Sequence, residues 1–322
     1  MVGSTLLGVL INFYPYSPRW LALVDRSDDA LKSLERLRRL PATDVRVRHE
    51  HQSIMVETQA QQRIMEQKHP GAKGLMRELY AWSDLFRGKP MLLRTAVAVG
   101  VAFFQQFSGI NAFIYYAPTL FGSLGQSEEM ALVMSGIFNV LQLVAVAICF
   151  VVIDTLGRRP LAIFGALSAG ICWTLMAVIT AVYSHNWAAN SAAGWGAVAM
   201  AFLFILVYGV SYSPLGWLLA AEVYPNSCRS RGVALGVAVN WLCNFTVGIA
   251  TPPMLADIGY GTYIVYGCCC YAGFVWAWFL VPETKGKTLE EMDAVFGDHE
   301  ATEEREIIHA QMVQPPSDQD LV

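Results

Sequence analysis

Long apolar runs constrain the fold of this chain more than any other feature of its sequence. Between Met91 and Val281 the apolar residues gather into six runs, 92–121, 130–153, 160–183, 196–221, 232–256 and 261–281. A hydrocarbon core of about 30 Å takes roughly 20 apolar residues in helical conformation to cross. Since a backbone in lipid must satisfy its own hydrogen bonds, each run is predicted to be a helix. The expected fold class is an all-α membrane protein with six complete transmembrane helices.

Composition supports a membrane chain and excludes an ordinary soluble domain. Hydrophobic residues make up 55% and charged residues 15% of the sequence, whereas soluble domains carry about 25% charged residues. Residues 1–14 form a further, short apolar stretch without the basic start or small-residue cleavage site of a signal peptide. We interpret this stretch as part of a preceding span.

Basic residues are distributed as the positive-inside rule requires. Fifteen of the 22 Lys and Arg residues lie between Arg19 and Arg94, and four more lie in the pairs Arg158/Arg159 and Arg229/Arg231. The connecting segments 122–129, 184–195 and 257–260 contain none. Every second connection is therefore basic, which predicts a cytoplasmic carboxyl terminus.

The polar segments divide the rest of the chain. Residues 15–91 are predicted to form a cytoplasmic helical linker domain with helices over 28–40, 44–68 and 72–87, because apolar residues recur there every three or four positions. The six-span bundle occupies 92–281, and 282–322 form a cytoplasmic tail. In this tail Thr288 and Glu291 have the spacing of a capping box, and the acidic residues beyond Gly297 are expected to be disordered.

Amide side chains are concentrated in the run 92–121, where Gln105, Gln106 and Asn111 flank Gly109. Polar groups inside a bilayer are costly unless they are paired or face a cavity. Uncharged amides both donate and accept hydrogen bonds, which suits a neutral ligand rich in hydroxyl groups. Hydrogen bonding between helices is the alternative role. For a cluster of this density we favour a ligand.

Other runs add polar groups and helix breaks. Asn139 lies in 130–153, and Asn240 lies in 232–256, a run that also contains a predicted break at Thr251-Pro252-Pro253. The segment Tyr208–Trp217 is predicted to be a helix broken by Pro214 and glycine, as occurs where helices line a cavity. Trp217 offers a flat face for a sugar ring, with interfacial packing as its alternative role.

Catalytic chemistry is not indicated. The six histidines lie outside the apolar runs, the cysteines lack metal-ligand spacing, and no phosphate-binding glycine loop is present. No Asp or Glu lies in the middle of a span. We therefore expect neither an enzyme nor a cofactor, metal or nucleic-acid partner.

Five ordered motifs resemble the sugar porter (hexose transporter) family of the major facilitator superfamily, in its fungal form. They are Gln105–Asn111, Asp154–Arg159, Trp217 to Glu222, Asn240-Trp241 and Pro282–Gly286. Residues 15–21 also resemble the family's Pro-Glu-Ser-Pro-Arg segment, with Tyr16 in place of Glu. The resemblance implies that the chain begins within the family's sixth span and carries the six-span carboxyl-terminal half.

The resemblance also implies roles for individual residues. A monosaccharide would be held by Gln105, Gln106, Asn111, Asn139, Trp217 and Asn240. Tyr115 and Tyr116 would close an outer gate. A cytoplasmic gate network would contain Asp154, Arg158, Arg159, Glu222, Arg229 and Arg231, whose basic members also satisfy the positive-inside rule. The expected function is transmembrane transport of a hexose-like sugar by alternating access.

Several alternatives stay open at this point. A membrane sugar sensor would bind without transporting, although the short tail of 25 residues beyond Gly297 favours transport. Proton symport and facilitated diffusion are both compatible with the sequence. Because only one half is present, we expect function to require an amino-terminal half or self-association. The predicted location is the plasma membrane, with the lipid bilayer as the surrounding partner.

Overall fold

The computed structural model describes residues 2–72, 74–298 and 302, and every regular element in those ranges is helical. The described residues form two compact units, one extending to Ala81 and the other from Trp82 to Asp298. Most of the predicted disordered tail, residues 299–301 and 303–322, lies outside the described residues. The boundaries predicted for the linker domain and the tail remain predictions.

The first unit contains the amino-terminal apolar helix and the helical segment that follows it. Its helices are α1 (Val2–Leu10), α2 (Pro18–Leu23), α3 (Ser27–Arg38), α4 (Val45–Lys68) and α5 (Gly74–Ser83), the last of which ends two residues into the second unit. Leu34, Val47 and Ile54 are buried between α3 and α4. The bidentate pair of Arg38 with Glu50, at 2.7 and 2.8 Å, joins the same two helices.

The second unit contains the transmembrane bundle and a short carboxyl-terminal helix. Its helices are α6 (Lys89–Phe107), α7 (Ile110–Ser123), α8 (Glu128–Leu156), α9 (Arg158–Tyr183), α10 (Ser191–Val210), α11 (Tyr212–Glu222), α12 (Arg229–Asp257), α13 (Gly261–Leu280) and α14 (Leu289–Phe296). Taken as α6–α7, α8, α9, α10–α11, α12 and α13, these give six segments long and apolar enough to cross a membrane. The prediction of six spans is confirmed, and Thr288 and Glu291 form the expected capping box of α14.

Two of the six spans are broken in the middle. The first breaks between α6 and α7, where Gly109 has φ +87°, a conformation that side chains with a Cβ avoid. The second breaks at Ser211, between α10 and α11. Pro214 follows three residues later and cannot donate to the carbonyl of Val210, so a continuous helix would lose that bond.

The break expected at Thr251-Pro252-Pro253 is wrong, because α12 is continuous from Arg229 to Asp257. Pro252 has no N–H to donate to the carbonyl of Gly248, four residues earlier. The hydroxyl of Tyr116 donates to that carbonyl at 2.8 Å instead. A side chain from α7 thus replaces the backbone hydrogen bond that the proline removes, and the helix continues.

An aromatic cluster forms the centre of the bundle. Trp173 of α9 is fully buried and packs against Phe113, Phe204 and Tyr266, with ring centroids 5.1–5.4 Å apart. Its indole N–H donates to the carbonyl of Ser108 at 2.8 Å, directly beside the first break. The centre of the core therefore also fixes the position of the α6–α7 junction.

Candidate substrate-binding site

Five amide side chains, Gln105, Gln106, Asn111, Asn240 and Asn244, form one connected cluster beside the first helix break. We call this set the amide cluster. Its members come from the end of α6, the start of α7 and the middle of α12. Gln105, Gln106, Asn111 and Asn240 are each at most 6% exposed. The break at Gly109 allows Gln106 and Asn111, which are five residues apart, to face each other.

Gln105 connects the cluster to the second helix break. Its Nε2 donates to the carbonyls of Tyr212 and Ser213, at 3.0 and 3.1 Å, in the first turn of α11. Its Oε1 accepts from Asn240 Nδ2 at 2.7 Å. A Cβ on Gly216 would lie 2.5 Å from the Gln105 amide, so this approach requires glycine. Both donor hydrogens and the oxygen of Gln105 therefore have protein partners.

Gln106 and Asn111 continue the cluster. Gln106 Nε2 donates to Asn240 Oδ1 at 3.0 Å. The Oε1 of Gln106 accepts from Asn111 Nδ2 and, at 3.4 Å, from Asn244 Nδ2. Within the described residues the Oδ1 of Asn111 has no hydrogen-bond partner, and neither does the second amide N–H of Gln106, Asn111, Asn240 and Asn244. These are the groups that a ligand could use.

Two tyrosines connect α7 to α12 at the edge of the cluster. Tyr115 is 48% exposed, and its hydroxyl donates to Asn244 Oδ1 at 2.9 Å. Tyr116 has the non-helical angles φ −126° and ψ 25°, which mark a kink two residues before Pro118. Its hydroxyl is the donor to Gly248 described above. Both tyrosines therefore hold the end of α7 against α12.

Asn139 and Trp217 are not joined to the amide cluster by any hydrogen bond in the described part of the chain. Asn139 Nδ2 donates to the carbonyl of Ser135, one turn earlier in α8, at 2.9 Å, and its side chain is exposed. The indole of Trp217 on α11 is 52% exposed. Of the six residues predicted to hold a sugar, the structure connects Gln105, Gln106, Asn111 and Asn240 and leaves Asn139 and Trp217 on exposed surface.

The amide cluster therefore combines the two roles that its composition allows. Its buried end, at Gln105 and Asn240, hydrogen-bonds α6, α11 and α12 to one another. Its opposite end, at Asn111, Asn244 and Tyr115, retains unused donors and acceptors. Asn244 is not among the residues that the sequence predicted to hold a sugar. The signal that could have found its role is its spacing of four residues from Asn240, which places both on one face of α12.

Arg158 is the centre of the predicted cytoplasmic network. Its guanidinium pairs with Asp154 and Glu222, each at 2.9 Å. Glu222 also accepts from the hydroxyl of Thr284 at 2.5 Å. The pair with Asp154 is exposed, as the 75% exposure of the Asp154 side chain shows, and such pairs contribute about 0–1 kcal/mol. The connection through Glu222 joins α9 to α11.

The other predicted members of the network have different partners. Arg159 Nη2 donates to the carbonyl of Trp278 at 2.9 Å. Arg229 donates to the carbonyl of Tyr224 at 3.1 and 3.2 Å. Arg231 also interacts within the chain. Arg159 and Arg229 therefore each have a backbone carbonyl among their partners.

Glu283 is a residue of this region that sequence reasoning missed. Its carboxylate accepts from the backbone N–H groups of Arg158 and Arg159, at 3.0 and 3.3 Å, where α9 begins. A carboxylate at a helix amino terminus is favoured by unpaired N–H groups and by the helix dipole. Gly157 permits the approach, because a Cβ there would lie 2.5 Å from the carboxylate. The segment after α13 is thereby attached to α9.

From the sequence, Arg94 was only one of the basic residues used to predict the orientation in the membrane. In the structure it is 1% exposed. It pairs with Asp293 at 2.7 Å and with Asp298 at 3.3 Å, donates to the carbonyl of Val223, and lies 4.7 Å above the Phe296 ring. A buried charge needs such a set of partners. These contacts fasten α14 to the start of α6.

The hydroxyl of Tyr224 lies beside this group and donates to Thr95 Oγ1 at 3.1 Å. Burial raises the pKa of the Tyr224 phenol, so it stays a neutral donor. No group of three or more His, Cys, Asp or Glu side chains suited to a metal occurs among the residues that the structure describes.

Comparison with known proteins gives the family. The family model described as "Sugar (and other) transporter" matches residues 1–296. A probable quinate permease of Aspergillus niger is 33% identical over 300 residues, which are 91% of this chain and 53% of the relative. The D-xylose-proton symporter of Escherichia coli K12 is 32% identical over 302 residues, 92% of this chain and 55% of the relative.

Solved structures agree with this result. The proton:xylose symporter XylE bound to 6-bromo-6-deoxy-D-glucose has a TM-score of 0.65 and 29% identity, covering 92% of this chain and 57% of that one. A double tryptophan mutant of XylE has a TM-score of 0.67 and 28% identity. The chain spans about half the length of the relatives it matches. These relatives are named as permeases and symporters rather than enzymes. With the family matched over nearly all described residues, the chain belongs to the sugar transporter family and is a multi-pass membrane protein.

Proposed function

We propose that this chain is one half of a transporter that moves a neutral monosaccharide across a membrane by alternating access. The observation that carries the proposal is the amide cluster, which lies at the middle of the spans, beside two broken helices, in a member of the sugar transporter family. The sugar would be contacted by Gln105, Gln106, Asn111, Asn240 and the adjoining Asn244, with Asn139 and Trp217 contributing from the exposed surfaces of α8 and α11.

The charge of the site favours a neutral sugar. Beyond Arg94 no charged residue lies in α6 or α7, and none lies in α12 after Arg231 until its last residue, Asp257. A polyhydroxy carboxylate such as quinate would need a cation to balance its charge, and this half offers none near the amides. Among the compounds named for the relatives, D-xylose fits the amide cluster better, and a hexose presents the same type of groups.

Alternating access requires contacts that differ between two states. Tyr115 and Tyr116 are suited to an outer gate, because their hydroxyls attach the kinked end of α7 to α12 and could release it. The Arg158 contacts to Asp154 and Glu222, together with Arg159, Arg229 and Arg231, are suited to a cytoplasmic gate. The opposing half of each gate would come from an amino-terminal half or from a second copy of the chain.

The proposal also covers the orientation of the chain in the membrane and the ion that is coupled to transport. The alternation of basic connections with connections that lack Lys and Arg favours a cytoplasmic carboxyl terminus, and the plasma membrane is the proposed location. The proton coupling named for the E. coli relative makes protons the candidate coupling ion. A sugar sensor remains the second candidate, because the site could bind sugar without completing a transport cycle.

Binding of D-xylose and D-glucose to the purified chain in lipid nanodiscs tests the proposal. We expect saturable binding that Gln106→Ala weakens by about tenfold or more, since several hydrogen bonds are lost. Gln142→Ala is the matched control, because Gln142 is a half-buried amide of α8 outside the amide cluster. Equal loss in both variants, or no saturable binding by the wild type, would contradict the proposed site.

Uptake by cells that lack hexose carriers then separates transport from sensing. Saturable uptake by the chain alone would show that it completes a pathway, which would require self-association. Binding without uptake, when the chain is confirmed at the cell surface, would indicate either a requirement for another half or a sensor. Co-expression with an amino-terminal half would distinguish these two, because only the incomplete transporter would gain uptake.

A further inference from the structure

Helix α5 (Gly74–Ser83) exposes its large apolar side chains to the outside of the molecule. Leu75, Met76, Leu79 and Trp82 are all exposed. Among the described residues of α5, Ala81 alone is buried. A surface helix of a soluble domain has the opposite arrangement, because its apolar stripe packs against the core. The exposed side of α5 therefore points to a partner other than water.

These four side chains lie on one face of the helix. Leu75 and Leu79 are four residues apart and Trp82 follows after three more, so the three form one row. Met76, three residues before Leu79, lies on the same side. Arg77 is two positions from Leu75 and faces away from it. We call Leu75, Met76, Leu79 and Trp82 the apolar face of α5.

The length of α5 also indicates that it needs a partner. A helix of 10 residues is shorter than the about 12–15 residues at which an isolated helix becomes marginally stable in water. In proteins, helices of this length are stabilised mainly by packing of their apolar face. Since that face of α5 is exposed, whatever covers it also stabilises the helix.

The chain holds this face close to a membrane. α5 ends at Ser83, and α6, which begins the first span, starts at Lys89. The five residues between them can extend over about 20 Å at most. Leu85, in this connection, is buried in the core of the second unit, and its carbonyl accepts from the hydroxyl of Thr95 in α6 at 2.7 Å. The carboxyl end of α5 is therefore held near the level at which the first span enters the bilayer.

The composition of the segment fits a lipid surface. Tryptophan, here Trp82, is enriched where helices meet the membrane–water interface, and Phe86 of the connection is also exposed. The positive-inside pattern favours the cytoplasmic side for this segment, where the leaflet carries anionic lipids. A helix with an apolar face and basic residues lies in the plane of such an interface. Residues 73–89 carry four basic and two acidic side chains, namely Lys73, Arg77, Arg87, Lys89, Glu78 and Asp84.

We infer that α5 is an interfacial helix whose apolar face is embedded in the phospholipid leaflet at which the first span begins. This lipid-binding surface lies outside the six spans and apart from the amide cluster, so it goes beyond the proposed transport function. A second copy of the chain or an amino-terminal half could cover the same face only by excluding lipid from it. Quenching by lipid therefore distinguishes these occupants.

The experiment attaches an environment-sensitive fluorophore to Leu75→Cys in the purified chain, reconstituted in nanodiscs of phosphatidylcholine and phosphatidylserine. The cysteines that are exposed or half-buried, Cys228, Cys268 and Cys269, are first replaced with alanine. Lipids that carry a spin label near the headgroup quench the fluorophore where lipid surrounds it. We expect stronger quenching by these lipids than by lipids labelled at the end of the acyl chain, because an interfacial helix enters the bilayer by only about 5–10 Å.

Val45→Cys is the matched control for the position of the fluorophore. Val45 is 80% exposed and Leu75 78%, but Val45 lies at the start of α4, far from α6 along the chain. We expect at least about fivefold more quenching at position 75 than at position 45.

A charge placed on the apolar face tests that face directly. Leu79→Glu should reduce the quenching at position 75 by about half or more, since a carboxylate is disfavoured in lipid. Leu37→Glu is the matched control, because Leu37 of α3 is 52% exposed and Leu79 55%. This control should leave the quenching at position 75 unchanged.

Three results would overturn the inference. A fluorophore at position 75 that is unquenched and emits as in water would show that no lipid covers the face. Emission typical of an apolar environment without quenching by lipid would mean that protein covers the face, either a second copy or another half. Equal quenching at positions 75 and 45 would mean that the contact with lipid is not a property of α5.

Discussion

Replacing Gly109 with alanine should destabilise the transmembrane bundle more than replacing Gly122 in the same span. Gly109 has φ +87°, and an added Cβ would lie 2.6 Å from Cζ2 of Trp173 and 2.9 Å from Cγ of Tyr266. Trp173 cannot move aside without loss, because it is fully buried and its N–H is bonded to Ser108. The variant must therefore change either the backbone of the break or the packing of the core.

The loss in the free energy of unfolding expected for Gly109→Ala has two parts. A residue with a Cβ in a left-handed conformation costs about 1–2 kcal/mol. Adding a methyl group to a filled core costs about 1–3 kcal/mol more, because rings and backbone must shift. The expected loss in the free energy of unfolding is therefore about 2–5 kcal/mol. A loss of this size is detectable in a domain whose total stability is about 5–15 kcal/mol.

Titration of the purified chain from mild detergent into dodecyl sulfate, followed by circular dichroism, measures this free energy. Gly122→Ala is the matched control. Gly122 lies in α7, and an added Cβ would meet no atom within 4 Å. That substitution should be neutral or stabilising by up to about 1 kcal/mol. If Gly109→Ala and Gly122→Ala have the same free energy of unfolding, Trp173 does not hold the break and the prediction is wrong.

Two further predictions use the same measurement. Arg94→Met should lower the free energy of unfolding by about 3–5 kcal/mol, because it removes the cation that pairs with the buried Asp293. Arg46→Met, the control, removes an exposed pair with Asp44 and should change this free energy by less than about 1 kcal/mol. Equal effects would show that burial of the Arg94 pair is unimportant. Tyr116→Phe should lower the free energy of unfolding by about 1 kcal/mol, because the carbonyl of Gly248 loses the tyrosine hydroxyl and Pro252 has no N–H to replace it. An unchanged free energy would mean that this carbonyl finds another partner.

The spans were predictable because their signal is local and repeated. A run of about 20 apolar residues has few alternatives in lipid, and the observed spans differ from the expected ones by a few residues at their ends. Polar side chains help to set these ends, as when the Ser127 side chain accepts from the N–H of Met130 at the start of α8. Pro214 similarly predicted the break between α10 and α11 from local backbone chemistry.

The failures involve partners that are distant in sequence. Local chemistry predicted a break at Pro252, but α12 is continuous, because Tyr116, more than 130 residues earlier, provides the missing hydrogen bond. Glu283 lies at the start of α9 although 125 residues separate it from Arg158. Arg94 and Asp293 are 199 residues apart. A pattern read over one or two turns of helix cannot show such pairs, because tertiary packing decides which side chains meet.

The amide cluster shows the same limit at the level of single atoms. Its residue types were enough to predict a polar site between α6, α7 and α12. They could not show which end of each amide faces its neighbour, since both ends can form hydrogen bonds. That choice is made by Tyr212 and Ser213, whose carbonyls accept from Gln105 because Gly216 has no side chain to keep it away. The break between α10 and α11 therefore does more than allow a cavity: its backbone oxygens select the orientation of Gln105. Any movement of α11 that withdrew these carbonyls would remove the constraint on the whole amide cluster, so the position of α11 and the groups offered to a sugar should change together.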